Sequence, residues 1–389
     1  MSSEKTNDYK LSRRAFMRNT SLAAAGAVAG ALATSGCTMS NTAHSVGKSK
    51  ILNYHPQMSY RRLGKSGLVF SEVSLGGHWK NRNAGRYWNE FANEEVPDDV
   101  AKNRTEVISA CIDSGINYLD ITTAAECLSY GVALKGRREK MYVGADIHTL
   151  GPRRSNLCNV KDQTYNVETC LRMLQTDYLD IWRPQAKTDG SNTDAEVEAL
   201  IETFEKLHRE GKVRHLGMSS HSRPWFEHVI KKYPEFEMVI FPCTAKTVEK
   251  GQSPTRKNVE EVNAGHGSDT GQSIFQTVRE RNVGIVTIKP FFGGNLFKTE
   301  AAFPVLGVGS KEENDLARLT LQCILSNDAI TASVPGLTTI YEVANAARAS
   351  YTRLIAMSPA ENQWLQEKTD EQWVALPPDY VWLRDWEVV

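Results

Sequence analysis

The feature that most constrains the fold is the segment of residues 115–147, where two short apolar runs flank one helical stretch. Residues 116–121 and residues 141–147 have the length and composition of buried strands, whereas residues 126–135 have those of a helix. Two neighbouring strands joined through a helix run parallel, because parallel strands need a crossover connection of this length. The sequence therefore predicts an α/β fold with a parallel sheet.

The same alternation continues along the chain. Eight strands are predicted, at residues 73–75, 117–121, 141–147, 178–182, 213–218, 238–242, 285–289 and 332–334. Helices separate them, and the clearest covers residues 194–209, where Thr193 and Glu196 form a capping box and Gly211 ends the helix. Its apolar residues share one face: Val197, Leu200, Ile201, Phe204 and Leu207. Before the first strand, residues 60–71 predict a hairpin.

The segment around Asp120, with the turn Leu-Lys-Gly-Arg-Arg-Glu-Lys at residues 134–140, resembles the aldo/keto reductase superfamily. The resemblance continues in register through five further segments, residues 60–77, 176–182, 211–222, 288–296 and 334–336. It implies a (β/α)8 TIM barrel preceded by an N-terminal β-hairpin. On this basis residues 59–376 form the barrel and residues 377–389 form a C-terminal tail.

The N-terminus has the pattern of an export signal. Arg13 and Arg14, within Ser-Arg-Arg-Ala-Phe-Met-Arg, resemble the twin-arginine motif, and an Ala-rich apolar run follows at residues 22–33. This run is too short for a stable membrane span. Residues 1–37 are predicted to be a signal peptide, and residues 38–58 a linker. Cleavage after Ala33 would release a periplasmic protein, whereas Cys37 in a lipobox would anchor it to a membrane through lipid.

The composition of the chain limits the class of ligand that it can bind. The 46 basic residues balance the 46 acidic residues, so the chain has no basic footprint for nucleic acid, and we expect a small-molecule ligand. The other six cysteines have no Cys-x-x-Cys or metal spacing and are predicted to fill the core, so no metal site is expected: Cys111, Cys127, Cys158, Cys170, Cys243 and Cys323. Nothing in the sequence indicates an oligomeric state.

The resemblance implies four proton-transfer positions at the strand ends: an Asp, a Tyr five residues later, a Lys and a His. Asp120 is the only one retained, because the other three fall on Ala125, Asp146 and Gln185. Alanine cannot act as the acid that carbonyl reduction needs. A second carboxylate beside Asp120 would raise a carboxyl pKa and repel an oxyanion. The sequence therefore predicts that the usual chemistry is lost or transferred to a substitute acid.

The resemblance also implies a cofactor, NADP or NAD, which this chain would hold with fewer polar side chains than the family usually provides. Predicted cofactor-binding residues are Ser219 and Ser220 after the fifth strand, Lys289, Gly293, Gly294 and Asn295 in the pyrophosphate loop, and Gly336 in the adenosine-phosphate turn. Ile240 and Ala346 replace polar residues that the family uses. The alternative for the glycines is that they serve only the turn.

Three functions stay open. The first is an exported NAD(P)-linked oxidoreductase that acts on a small carbonyl, sugar or polyol with Asp146, His148 or Glu126 as substitute acid. The second is an inactive barrel that binds a small polyol, a sugar or a partner protein. The third is a metal-assisted, isomerase-like activity at Asp120, Asp146 and His148. His78, Arg183 and His221, and the long loops at residues 80–97 and 247–270, are predicted at the same face of the barrel.

Overall fold

The computed structural model describes residues 50–81, 86–87, 94–248, 273–297 and 310–387, all within the compact unit Asn41–Val389. The predicted signal peptide, Cys37 and most of the loop at residues 247–270 lie outside these residues. Within the described ranges, none of the helices has both the length and the apolarity that crossing a bilayer requires.

A curled parallel sheet forms the centre of the fold. The strands are β1 (Tyr60–Arg62), β2 (Val69–Ser71), β3 (Lys80–Asn81), β4 (Arg86–Tyr87), β5 (Tyr118–Ile121), β6 (Tyr142–Ala145), β7 (Leu179–Trp182), β8 (Val213–Ser219), β9 (Met238–Pro242), β10 (Gly284–Ile288) and β11 (Ile330–Ser333). Strands β5 to β11 are parallel neighbours in sequence order. Val73 and Gly76 bridge to the β11 side and Leu75 bridges to β5, so residues 73–76 close the barrel. The predicted eight-stranded barrel is confirmed.

Helices surround the sheet. They are α1 (Asp98–Asp113), α2 (Ala124–Leu134), α3 (Val160–Leu174), α4 (Asp194–Arg209), α5 (Arg223–Lys232), α6 (Ile274–Arg281), α7 (Lys311–Leu325), α8 (Ile340–Tyr351) and α9 (Pro359–Val374). The capping box of Thr193 and Glu196 is confirmed. Helix α2 begins two residues earlier than predicted, because Thr123 and Glu126 form a second capping box.

The predicted N-terminal hairpin is also confirmed. Strands β1 and β2 pair antiparallel with Tyr60 opposite Ser71, and Gly67 adopts a φ of 77° in the turn. Leu63 and Phe70 then pack on inward-facing barrel residues such as Tyr118. The hairpin thus covers the amino-terminal end of the barrel with apolar surface.

A buried cluster of charged residues stabilises this amino-terminal end, the floor of the barrel. The carboxylate of Glu72 accepts hydrogen bonds from Arg61 Nε and Arg353 Nε, each at 2.7 Å. Arg61 also donates to the backbone oxygens of Leu325 and Asn327. The cluster therefore links the hairpin to the carboxyl-terminal ends of α7 and α8.

The C-terminal segment packs on the barrel and is not a free tail. After α9 the chain forms a 3-10 helix, Val381–Glu387, in which Leu383 is buried. Arg384 donates to the backbone oxygens of Trp373 and Val374, and so satisfies carbonyls at the end of α9.

Candidate active site

The carboxyl ends of the strands carry a buried ion pair. Asp120 lies on β5, and Arg183 follows β7 on the inward side. Arg183 Nε is 2.5 Å from Asp120 Oδ1, and Nη2 is 2.8 Å from Oδ2, with both side chains nearly inaccessible to solvent. Arg183 Nη2 also donates to Ile121 O at 2.5 Å. This two-pronged geometry fixes the guanidinium.

Arg183 changes the electrostatics that the sequence predicted. We expected Asp120 and Asp146 to give a negative charge to the mouth of the barrel, which is the end where the carboxyl ends of the strands meet. A buried cation is instead paired with Asp120. Burial raises the pKa of Asp120, and the charge and hydrogen bonds of Arg183 oppose that rise. Sequence reasoning placed Arg183 in the mouth without its partner; the available signal was its position two residues before Gln185, on the same side of the strand.

Asp146 is turned toward the outer layer of the barrel. Its Oδ1 accepts from Asn166 Nδ2 of α3 at 2.8 Å and from Trp182 Nε1 at 3.3 Å, and its Oδ2 accepts from Gln185 N at 3.1 Å. Burial raises the pKa of Asp146 to about 6, although Arg183 and the hydrogen bonds from Gln185 and Trp182 act in the opposite direction. The pKa of Asp146 therefore lies well above the ordinary value of an aspartate.

Glu126 organises the turn between β5 and α2. Its side chain is fully buried and accepts hydrogen bonds from three backbone amides: His78 N at 2.5 Å, Thr122 N at 2.6 Å and Thr123 N at 3.3 Å. Its Oε2 also accepts from the Thr122 hydroxyl at 2.9 Å. His78 Nδ1 lies 2.8 Å from that hydroxyl.

His148 and Gln185 meet at the same turn. His148 Nδ1 donates to Thr122 O at 3.0 Å, and Gln185 Nε2 donates to Asp146 O at 3.0 Å. The strand end at Asp120 and the positions Asp146, His148 and Gln185 are thus brought together, although Asp146 faces α3.

Two of the predicted cofactor-binding side chains hydrogen-bond to backbone oxygens, Ser220 to one in the neighbouring loop after β7 and Asn295 to one in its own loop. Ser220 Oγ donates to Lys187 O at 2.7 Å, and Asn295 Nδ2 donates to Phe292 O at 2.7 Å. Ser219 is buried at the end of β8 beside Gln185, with which it forms a bridge. Gly336 packs against the carbonyl oxygen of Gly77, with no room for a side chain.

The glycine loop after β10 adopts left-handed backbone conformations. The φ angles are 58° at Lys289, 70° at Gly293 and 98° at Gly294. A Cβ on Gly294 would meet nothing within 4 Å, so this part of the loop is an open cradle of backbone. A Cβ on Gly293 would collide with the ring of Tyr380, so the C-terminal segment covers that residue.

Trp382 extends this cover across the mouth. Its indole stacks on His221 with ring centroids 4.4 Å apart, and Lys289 Nζ lies 5.8 Å from the indole centroid. Burial, together with the charges of Lys289 and Arg153, lowers the pKa of His221 to about 3. His221 is therefore neutral at physiological pH.

The predicted metal-assisted site finds no ligand cluster in the part of the chain that the structure describes. No group of three or more His, Cys, Asp or Glu side chains there is arranged to hold a metal ion.

Comparison with known proteins identifies the lineage. The sequence model of the aldo/keto reductase family matches residues 77–366. L-galactose dehydrogenase of Arabidopsis thaliana is 23% identical over 314 residues, which cover 74% of this chain and 86% of that protein. An uncharacterized oxidoreductase of Bacillus subtilis, YqkF, is 28% identical over 198 residues, which cover 47% of this chain and only 54% of that protein.

Solved structures agree on the fold. An aldo-keto reductase from Bacillus halodurans in its holo form superposes with a TM-score of 0.53 at 20% identity, covering 80% of this chain and 96% of that one. An aldo-keto reductase from Klebsiella pneumoniae in complex with NADPH gives a TM-score of 0.53 at 15% identity, covering 79% of this chain and 93% of that one. At these identities the likeness establishes the barrel.

Proposed function

The chain belongs to the aldo/keto reductase family of oxidoreductases, and from this premise we propose that it is an exported, nicotinamide-dependent enzyme that acts on a small sugar or polyol. The lineage implies a nicotinamide cofactor, and the choice between NAD and NADP is left to experiment. The name of the Arabidopsis relative, L-galactose dehydrogenase, supports a sugar hydroxyl as the reacting group.

The observation that carries this proposal is a set of three cations around the mouth. Lys289 and Arg153 act electrostatically on His221, and Lys289 and Arg183 act on His78, where a buried carboxylate opposes them. Three cations near the strand ends favour anions, although burial is the largest cause of the lowered pKa of both histidines. Dinucleotide phosphates and the alkoxide that develops in hydride transfer are both anionic.

The glycine loop has room for the cofactor at Gly294, although Tyr380 covers Gly293. Gly294 leaves open space beside a backbone in the left-handed conformation, and Lys289 supplies a cation at the same loop. Such a backbone cradle suits a phosphate. Lys289, Gly294 and Ser219 are therefore the residues we assign to the cofactor, which supplies or accepts hydride when bound. Asp120 and Arg183 would stabilise charge beside the reacting carbon.

A direct titration tests the cofactor assignment. We expect the purified chain to bind NADPH or NADH with a dissociation constant on the order of tens of micromolar, because several hydrogen bonds of about 1 kcal/mol each are missing. Lys289→Met should weaken binding about tenfold through loss of the cation. Lys206→Met, on the outer face of α4 in an exposed pair with Glu210, is the matched control and should leave affinity unchanged.

A second candidate function rests on the C-terminal cover. The ring of Tyr380 contacts Gly293, where the resemblance predicts the pyrophosphate, so the barrel would instead bind a small sugar or polyol without nicotinamide. The same titration separates the two candidates. Absence of dinucleotide binding up to millimolar concentration would reject the oxidoreductase and favour this inactive barrel.

Export is proposed from the signal pattern alone. Changing Arg13 and Arg14 to Lys should leave the precursor in the cytoplasm, and normal periplasmic accumulation of that variant would reject the twin-arginine route. Cys37→Ala should abolish labelling by radioactive lipid if Cys37 carries the anchor. Unchanged labelling would reject Cys37 as the site of the lipid anchor, and no labelling of the parent would leave simple cleavage.

A further inference from the structure

His78 adopts a backbone conformation that its surroundings must hold in place. Its φ is 56°, in the left-handed region that non-glycine residues rarely occupy, and its amide donates to Glu126 Oε1 at 2.5 Å. A Cβ on the preceding residue, Gly77, would lie 2.5 Å from the Glu126 carboxylate oxygens. A glycine at this position therefore allows the buried carboxylate to approach the turn that presents His78.

The hydrogen bonds then fix the tautomer of the ring. The Thr122 hydroxyl lies 2.9 Å from Glu126 Oε2 and 2.8 Å from His78 Nδ1. An ionised carboxylate can only accept, so the single hydroxyl proton points to Glu126. The hydroxyl oxygen must then accept from Nδ1, and the neutral ring carries its lone pair on Nε2.

The His78 ring is the exposed end of this hydrogen-bonded series. Its side chain is 49% exposed, whereas the Glu126 side chain behind it is fully buried. Arg183, His148 and Lys289 are close enough to act on it electrostatically. These groups surround the strand ends where the family performs its chemistry, so His78 is the exposed member of a carboxylate, hydroxyl and imidazole series directed at the mouth.

We propose that His78 is the general acid and base of this enzyme, with Thr122 and Glu126 as positioning residues. The assignment rests on the proposed oxidoreductase function. In the oxidising direction the substrate hydroxyl proton moves to His78 Nε2, the C–H electron pair leaves as hydride to the oxidised nicotinamide cofactor, and the C–O bond becomes a carbonyl. The reverse reaction returns the proton from Nε2 to the carbonyl oxygen.

The groups around His78 set the pH range in which it can act as a base. Desolvation by the surrounding protein lowers the pKa of His78 most, Glu126 raises it, and Lys289, His148 and Arg183 lower it. His78 is therefore a neutral base at pH 7. Because a base must be unprotonated, alcohol oxidation should fall as the pH drops through this pKa, below the ordinary value of about 6.5.

The first test measures the tautomer of His78 and does not depend on enzymatic turnover. Histidine spectra of the full-length chain labelled with ¹⁵N distinguish the tautomer with Nδ1–H from that with Nε2–H. We expect Nδ1–H at His78 in the parent and in Thr122→Ser, and a mixture of tautomers in Thr122→Val, which keeps the shape of the side chain and removes its hydroxyl. An Nε2–H tautomer in the parent would overturn the proposal.

Kinetics then test the role. The probes are L-galactose with NAD⁺ or NADP⁺, and DL-glyceraldehyde with NADH or NADPH. His78→Asn is chosen because asparagine tolerates the left-handed conformation; it should lower kcat by about 10²–10⁴-fold and remove the acidic limb of the pH profile, while dinucleotide affinity stays within about threefold. His228→Asn, at an exposed site on α5, should match the parent.

The positioning residue has a separate signature. Thr122→Val should lower kcat by about tenfold with little change in KM, and Thr122→Ser should restore it. Turnover that survives His78→Asn would overturn the His78 assignment alone. Absence of turnover with every probe in the parent would overturn both the His78 assignment and the proposed function.

Discussion

At the scale of single residues, the mouth depends on buried charges that are paired. Asp120 and Arg183 are nearly inaccessible to solvent, and two hydrogen bonds join the carboxylate to the guanidinium. If Arg183 were removed, the Asp120 carboxylate would still incur the free-energy cost of leaving water, but the attraction to the guanidinium that offsets this cost would be lost. The pair therefore determines the stability of the site as well as its charge.

Arg183→Met should lower the free energy of unfolding by about 3–5 kcal/mol, because it leaves Asp120 buried and unpaired. Urea unfolding at pH 7 measures the change. The control is Arg172→Met, which removes an exposed pair with Glu94 and should leave the free energy of unfolding close to that of the parent. Equal effects of the two variants would contradict the importance of the buried pair.

Asp146 should make stability depend on pH in a defined direction. Its pKa is about 6 in the folded chain and about 3.9 when unfolded, so the folded chain binds more protons between these values. Stability from this group is therefore present below about pH 4 and is lost as the pH rises through 6. The neutral His221 acts in the opposite direction, but it is common to parent and variant and cancels in their difference.

We expect the free energy of unfolding of the parent, relative to Asp146→Asn, to fall by roughly 2 kcal/mol between pH 4 and pH 7. Urea unfolding at four pH values measures this difference. Asp98→Asn, at an exposed position in the first turn of α1, should give a curve parallel to that of the parent. A parallel curve for Asp146→Asn as well would show that its pKa is ordinary.

At the scale of elements, the C-terminal segment shapes the mouth from outside the barrel. Arg384 and the buried Leu383 hold the last 3-10 helix against α9. This places Tyr380 on Gly293 and Trp382 on His221. The segment thus controls both the polarity around His221 and the access to the glycine loop.

Trp382→Ala should raise the pKa of His221 from about 3 toward the ordinary value of about 6.5, because water then reaches the ring. An NMR titration of the histidine ring protons follows the change. Tyr165→Ala removes an aromatic ring from an exposed site on α3 and should leave the pKa of His221 unaltered. If His221 also stays unchanged in Trp382→Ala, burial by the C-terminal segment is not the cause of its low pKa.

At the scale of the whole molecule, closure of the barrel joins the two ends of the described fold. Residues 73–76 bridge β5 and β11, and Glu72 beside them holds Arg61 and Arg353. The cluster lies at the floor of the barrel, opposite the mouth. Residues at this end of a TIM barrel contribute to stability more than to catalysis. Barrel closure should therefore be sensitive to this one carboxylate.

Glu72→Gln should cost about 3–5 kcal/mol, because two buried guanidinium groups lose their counter-charge together. Calorimetry and circular dichroism should both report this loss. The matched change Glu168→Gln affects a half-exposed pair with Lys212 and should cost at most about 1 kcal/mol. A Glu72→Gln protein as stable as the parent would assign closure to apolar packing alone.

The sequence by itself determined the elements and their order. Thr193 with Glu196 defined a helix start, and the apolar run that ends near Asp120 defined a strand, because caps and periodicity depend on residues a few positions apart. The same local patterns carried the resemblance to the family.

Only the tertiary structure decided the contacts across the mouth. Asp120 meets Arg183, 63 residues away, and Trp382 meets His221 from the far end of the chain. Such pairs depend on strand register and barrel closure, which juxtapose side chains from separate strands and loops. The sequence predicted two adjacent carboxylates, whereas closure of the barrel inserted a cation, and the charge of the site followed from that contact.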